Sequence, residues 1–237
     1  VELLAELANI RLSWHWAATH GQPTELSRAA DTLFWLYESR SNCREGVPLF
    51  GQAVQGLERS ATTNRIAGLT AAQQLALGQV LSYQGYFCFR QGQHPQGREL
   101  LQRSRALLQP LALSQDAPGR LAYTMTLAFL GTVMVGMGDY DEGRQHLQAA
   151  LQIKRALADR WGAAFCLRQL GLAAFYFGEH DDAYRLLQES LTLGRQLGDN
   201  WSIVASLNLL SQVAYTQGNY DEAQRMLAEG LPLSRAL

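Results

Sequence analysis

The 237-residue sequence predicts an all-α fold, a solenoid of about 11 helices stacked as antiparallel pairs. Three observations predict it. Only six prolines occur, and Ala, Leu, Gln and Arg, all strong helix formers, run throughout the chain. A hydrophobic share of 47% against 17% charged residues supplies enough apolar surface for a folded core. Above all, one pattern recurs in the second half: Gly138-Asp139-Tyr140-Asp141-Glu142-Gly143, Gly178-Glu179-His180-Asp181-Asp182-Ala183 and Gly218-Asn219-Tyr220-Asp221-Glu222-Ala223, with 178−138 = 218−178 = 40.

Each pattern reads as a helix, a tight turn at glycine and a second, antiparallel helix. Glycine takes the left-handed conformation that ends the first helix, and the Asp or Asn after it is placed to cap the second. Leu130-Gly131, Leu170-Gly171 and Leu210-Ser211 precede the turns, and Leu147, Leu187 and Leu227 follow them. The small residues Gly131 and Gly171 should face Gly143 and Ala183, so that the two backbones of a pair approach closely. Earlier segments keep the internal offsets: Gly85, Gly92, His94, Gly97 and Leu101, and before them Phe34, Ser41, Cys43, Gly46 and Phe50. The loops around 60–69 and 111–119 are longer. In order, the elements are a leading helix at about 2–19 and five pairs at about 24–59, 70–109, 119–157, 160–197 and 200–236, a single domain over 1–237. Asp159 and Asp199 should cap the first helices of the last two pairs, with Trp161 and Trp201 packed at the seams. The start at Val1 rather than Met, and an end inside a helical pattern with Leu227, Leu231, Leu233 and Leu237 on it, suggest a fragment of a longer protein whose last helix awaits a further repeat.

A formal net charge of −1 gives no long-range attraction for phosphate backbones or anionic lipid, so no direct nucleic-acid or membrane partner is expected. Lys154 is the only lysine, an Arg-for-Lys bias that points to a GC-rich bacterium. No run of 18 apolar residues occurs. Three widely spaced cysteines, Cys43, Cys88 and Cys166, argue for a reducing, cytoplasmic setting and for buried thiols. No cofactor, metal ligand set or catalytic constellation is expected. The five histidines have no metal-ligand spacing, and the acidic pairs Asp141-Glu142, Asp181-Asp182 and Asp221-Glu222 recur where second helices begin and offset the helix dipole. Of His15 and the flanking Trp14 and Trp16, about 100° apart around a helix, two should pack against the first repeat.

Leu167, Leu170-Gly171, Ala174, Gly178, His180, Ala183 and Leu187 resemble the tetratricopeptide repeat, without its Trp and terminal Pro and with a period longer than usual. The segment Glu6-Leu7-Ala8-Asn9-Ile10-Arg11 with Trp14, Trp16 and Ala17, and Phe34-Trp35-Leu36-Tyr37 through Arg44-Glu45-Gly46, resemble the repeat region of bacterial signal-transduction ATPases with numerous domains (STAND), a group that includes maltose-regulator-like and large LuxR-type transcription factors. That resemblance implies a right-handed superhelix acting as a sensor for an inducer, peptide or partner protein, preceded in the full protein by a nucleotide-binding module. This chain itself has no Walker A stretch and no helix-turn-helix reader. A constitutive protein-binding adaptor, similar to the 40-residue repeats of spindle-orientation adaptors, is the alternative.

In such superhelices the first helix of each pair lines the concave groove. Carried onto this chain, that face comprises Arg28, Asp31, Trp35 and Glu38 in the first pair and Gln79, Ser82, Tyr83, Tyr86, Phe89 and Arg90 in the second. Met125, Phe129 and Thr132 follow in the third, Arg168, Leu172, Phe175 and Tyr176 in the fourth, and Asn208, Gln212 and Tyr215 in the fifth. The candidate binding residues among them are Arg28, Trp35, Tyr86, Phe89, Arg90, Phe129, Arg168, Phe175, Tyr176, Asn208, Gln212 and Tyr215, aromatic and hydrogen-bonding types suited to a peptide or polar ligand. Phe129, Phe175 and Tyr86 could equally pack between neighbouring first helices. The Lys/Asn carboxylate clamp of some co-chaperone members is not reproduced.

Overall fold

The computed structural model describes residues 2–40, 42–63, 68–114 and 117–235; among them are eleven helices and no strand. Ser41, Leu237 and the side chains of Glu6 and Leu7 lie outside the described set. The helices are α1 (Glu2–His20), α2 (Pro23–Ser39), α3 (Cys43–Thr63), α4 (Ala71–Arg90), α5 (His94–Leu113), α6 (Ala117–Met137), α7 (Tyr140–Ala156), α8 (Arg160–Tyr176), α9 (His180–Leu197), α10 (Asn200–Thr216) and α11 (Tyr220–Arg235).

The turns inside the pairs follow one plan. Gly92, Gly138, Gly178 and Gly218 all have φ between 79° and 89°. The next residue's N–H reaches back over the turn, as from Asp139 to the Met134 carbonyl and from Glu179 to that of Ala174, both 2.9 Å. This is the six-to-one bond of a left-handed helix stop, which only glycine makes without a Cβ penalty. Asp139 and Glu179 stand at the N-cap positions that follow, and neither side chain makes a capping bond, which for Asp139 is contrary to the sequence expectation. The φ/ψ at these positions, −82°/62° for Asp139, puts the backbone carbonyl in place to start the helix but not the carboxylate.

The seams between pairs do use side-chain caps. Asp159 accepts from the Gly162 N–H, and Asp199 from the N–H groups of Trp201 and Ser202. Asp199 also accepts the Trp161 indole N–H at 2.8 Å, which places that ring at the seam. At the turn before each Asp, Gly198 has φ 65°, and its counterpart Ala158 holds φ 54° despite its Cβ.

The chain divides into two units, Val1–Phe129 and Leu130–Leu237, with the boundary inside α6. In the first, α1 runs parallel to α3. Arg11 pairs with Glu45 at 2.9 Å, the Trp14 indole N–H donates to the Leu49 carbonyl at 3.2 Å, and a Cβ at Gly56 would stand 1.7 Å from the Ala18 carbonyl. Only Trp14 of the Trp14-His15-Trp16 trio is buried; Trp16 is 52% exposed and stacks on His20, so one ring rather than two anchors the helix. Helices α4 and α5 cross at Gly85 and Gly97, where a Cβ on either would lie within 2.9 Å of the other's carbonyl oxygen. The first pair departs from this plan, because Phe34 fills the place of the small residue and Gly46 makes room for the ring of Phe87 on α4 instead.

In the second unit, Gly131 and Gly143 make the same close crossing, at 2.7 and 2.8 Å. Gly171 faces the Leu187 side chain. Leu187, Leu191, Ile203, Leu207, Leu210 and Val213 form one apolar cluster across α9 and α10. Each such side chain, taken fully out of water, contributes about 1.5–3 kcal/mol. Arg155–Glu189 and Arg195–Glu229 tie each second helix to the next, as Arg11–Glu45 does in the first unit. Helix α6 is long and apolar enough to cross a bilayer, but from Ala122 to Val135 every residue except Tyr123 is buried within the protein.

Candidate binding site

In the first unit, α2 and α4 are joined by a polar ladder of constant offset. Ser27 Oγ donates to Gln79 Oε1 at 2.6 Å, the Tyr83 hydroxyl donates to Asp31 at 2.5 Å, and Arg90 pairs with Glu38, each across 52 residues. The Tyr86 hydroxyl adds a 3.2 Å bond to Glu38, which is 1% exposed. Burial, reinforced by Asp31, pushes the Tyr83 hydroxyl well above its usual value, so it remains a donor. Below the ladder Phe34 stacks on Tyr83 at 4.4 Å, and Tyr86 stacks on Phe129 at 4.4 Å.

This arrangement decides which candidates of the first unit can meet a ligand. Tyr86 and Phe129 are buried, at 3% and 0% exposure, and serve as packing between first helices. Phe89 is half-buried against His94, Trp35 is half-buried with its edge toward Phe34, and Arg90 is committed to Glu38. Arg28 is exposed.

In the second unit, Arg168 is 3% exposed, its guanidinium held 5.3 Å from the centre of Phe165 and 4.6 Å from that of Trp201. A charged residue expected to face a ligand is here an internal cation between two rings, an arrangement worth about 2 kcal/mol when desolvated. Phe175 is half-buried beside His180. Asn208, Gln212 and Tyr215 are all exposed and, spaced by four and three residues, share one stripe of α10. Tyr176 is 57% exposed at the end of α8. The exposed candidates are thus Arg28 on α2, Arg90 at the end of α4, Tyr176 at the end of α8 and the three of the α10 stripe, where alone they share one face.

Three aromatic positions escaped the sequence reading. Phe177, 50% exposed, lies under the Arg144 guanidinium at 5.4 Å and beside Tyr140 at 5.7 Å, and Tyr220 is 62% exposed beside Tyr215. The recurring tyrosine after the turn glycine was the available signal. A surface cavity of about 660 Å³ opens between α1 and α2, bordered by Ile10, Leu12, Trp16 and Ala29.

Cys43, Cys88 and Cys166 are buried. Burial raises the Cys88 thiol to about 11 and that of Cys166 to about 12, the latter against a smaller opposing pull from Lys154. Such thiols are almost wholly protonated at neutral pH and poor nucleophiles. Among the described residues no group of three or more His, Cys, Asp or Glu side chains is placed to hold a metal ion.

Residues 121–196 and 167–236 match the model of the tetratricopeptide repeat. No curated protein matches the sequence. Among solved structures, BtubC (BKLC) from P. vanneervenii superposes with a TM-score of 0.66 at 13% identity, covering 100% of this chain and 92% of that one. The Rap conjugation gene regulator of plasmid pLS20, solved in complex with the Phr* peptide, gives 0.68 at 17% identity over 88% of this chain and 52% of that one. Aspartyl phosphate phosphatase F from Bacillus subtilis gives 0.64 at 12% identity over 91% and 53%. At these identities the likeness is one of fold, and the chain spans about half the length of the last two proteins.

Proposed function

Proceeding from tetratricopeptide repeats over residues 121–236, we propose that this chain is the binding domain of a bacterial, cytoplasmic STAND-type regulator, taking a peptide or partner-protein segment on its exposed first-helix face. The observation that carries the reading is the stripe Asn208, Gln212 and Tyr215 on α10, exposed while the equivalent side chains of α6 are buried and those of α4 are buried or half-buried. Side-chain amides present both a donor and an acceptor, which matches a peptide backbone, and an exposed tyrosine adds contact area with few rotors to order. A binding role rather than catalysis suits a site with neither nucleophile nor metal ligands. The structural neighbour solved with a peptide supports the choice of ligand class. In the full protein an upstream nucleotide-binding module would read the occupancy; an adaptor without switching would use the same stripe.

The test is selection of binders from a displayed random-peptide library, followed by affinity measurement on variants. Asn208→Ala with Tyr215→Ala is expected to weaken the selected peptides at least about tenfold, the loss of roughly 1.4 kcal/mol, with an unchanged Tm because both residues are exposed. Equal affinity in parent and variant refutes this location.

A further inference from the structure

The turn edge of the second unit carries aromatic side chains that the repeat does not require. Tyr176 and Phe177 stand at the end of α8, where the equivalent places 40 residues before and after hold Gly136-Met137 and Thr216-Gln217. Tyr176 is 57% exposed and Phe177 50%. Their exposure is not that of a terminal helix, since α7 precedes them and α10 and α11 follow within the same unit. Tyr140, at the start of α7, completes the group, its ring 6.4 Å from that of Tyr176 and 5.7 Å, edge to face, from that of Phe177. Three rings from two successive turns thus form one surface in the interior of the array. Apolar side chains exposed together, rather than singly, mark a site of interaction.

The charge around these rings specifies the occupant. Residues 137–144 and 176–185 carry six carboxylates, Asp139, Asp141, Glu142, Glu179, Asp181 and Asp182, against two guanidinium groups. Both of those are already engaged within the surface, Arg144 with Glu179 at 2.6 Å and Arg185 with Asp182 at 3.0 Å. Arg144 also lies over the Phe177 ring, 5.4 Å from its centre. The molecule itself therefore displays the mode in which this surface holds a cation: a planar guanidinium laid on an aromatic face and gripped by a carboxylate. Tyr176 offers the same elements, a more exposed ring beside Tyr140, whose chain neighbours are Asp139 and Asp141. Among the described residues no guanidinium lies over it.

We infer that this turn edge, centred on Tyr176, docks an arginine-bearing segment of a partner protein, with one guanidinium over the Tyr176 ring and its neighbours on the surrounding carboxylates. Arginine fits better than lysine, because its planar head stacks on a ring while its N–H fork still faces a carboxylate, whereas an ammonium is a compact, strongly hydrated point charge. The surface does not use the α10 stripe assigned above, and it stands whether or not that stripe binds peptide.

The probe is an unlabelled, end-blocked hexa-arginine peptide titrated calorimetrically into the whole chain at about 0.15 M salt, where interactions between distant exposed charges are largely screened. Saturable binding is expected, with hexa-lysine severalfold weaker. Tyr176→Leu, which keeps apolar area and every charge but removes the ring, is expected to weaken hexa-arginine severalfold. Tyr176→Leu combined with Asp141→Asn should weaken it at least about tenfold. Both side chains are exposed, so the circular dichroism and Tm of these variants should match the parent. Asn208→Ala with Tyr215→Ala is expected to leave the affinity unchanged. Absence of saturable binding, equal binding of hexa-lysine, or indifference to Tyr176→Leu overturns the inference, the last two because charge alone would then account for the contact. So does concentration-dependent dimerisation of the chain abolished by Tyr176→Leu, since the surface would then belong to a second copy.

Discussion

Lys154 is the sole lysine of the chain and is 2% exposed. Its ammonium is 2.7 Å from Asp159 Oδ2, and its stem lies against Gly162, where a Cβ would come within 2.6 Å of Cδ. A long cationic side chain is thus buried at a seam, and Asp159 does two jobs, neutralising it and capping α8 through the Gly162 N–H. A buried charge stripped of its partner is far more costly than a lost cap: about 3–5 kcal/mol against about 1 kcal/mol. Asp159→Ala should therefore lower stability by several kcal/mol in urea melts. Adding Lys154→Met should return all but about 1 kcal/mol, since a methionine of similar length needs no counter-charge. If single and double variants melt alike, the cap rather than the ion pair governs the seam. Nothing in the sequence distinguished Lys154 from a surface residue, and the same holds for Arg168, because its burial depends on Trp201 from the next repeat rather than on its own helix. The burial of the three thiols, by contrast, was legible from the apolar stripe that carries Cys166 and from the repeat positions that Cys43 and Cys88 occupy.

At the level of helices and turns, the 40-residue register made the second half legible: the turn glycines, the seam caps Asp159 and Asp199, and the small-residue crossings all lie where the repeat puts them. The first pair was less so, because Phe34 in place of a small residue moves its contacts to α4 and builds the aromatic layer with Tyr83, Tyr86 and Phe129. That layer explains why two of the groove candidates, Tyr86 and Phe129, are buried. Alternate spacing of three and four residues marks a helix face but does not say whether water or another first helix covers it. The crossings themselves differ in what a methyl group would strike. At Gly131 it would meet the Gly143 carbonyl at 2.7 Å, a backbone atom fixed in a helix; at Gly171 the nearest obstacle is the Leu187 side chain at 2.6 Å, with the Ala183 carbonyl back at 3.3 Å. Gly131→Ala should cost about 2–3 kcal/mol by forcing the two helices apart, and Gly171→Ala less, since a leucine can change rotamer. Equal losses in paired thermal melts would show that the leucine is as fixed as the backbone.

Across the whole molecule, stability in a repeat array is a sum of terms within pairs and between neighbours, so a lesion should be felt near its origin. The chain has two such compact units, and the charge pairs that link successive second helices cannot override that locality. Arg11–Glu45, Arg155–Glu189 and Arg195–Glu229 are all more than 40% exposed on both partners, where an ion pair contributes about 0–1 kcal/mol. The strong terms are the glycine crossings, which lie within a pair, and the leucine cluster, which joins one pair to its immediate neighbour. Gly85→Val, placed where even a Cβ would stand 2.9 Å from the Gly97 carbonyl, should open the α4–α5 pair. Hydrogen exchange measured by mass spectrometry should then show amides of α4 and α5 exchanging more than about tenfold faster, with those of α10 and α11 changed less than about twofold. A uniform acceleration through all eleven helices would mean that the array unfolds as one cooperative block, and that occupancy at α10 could be sensed at α2 without any intermediate state.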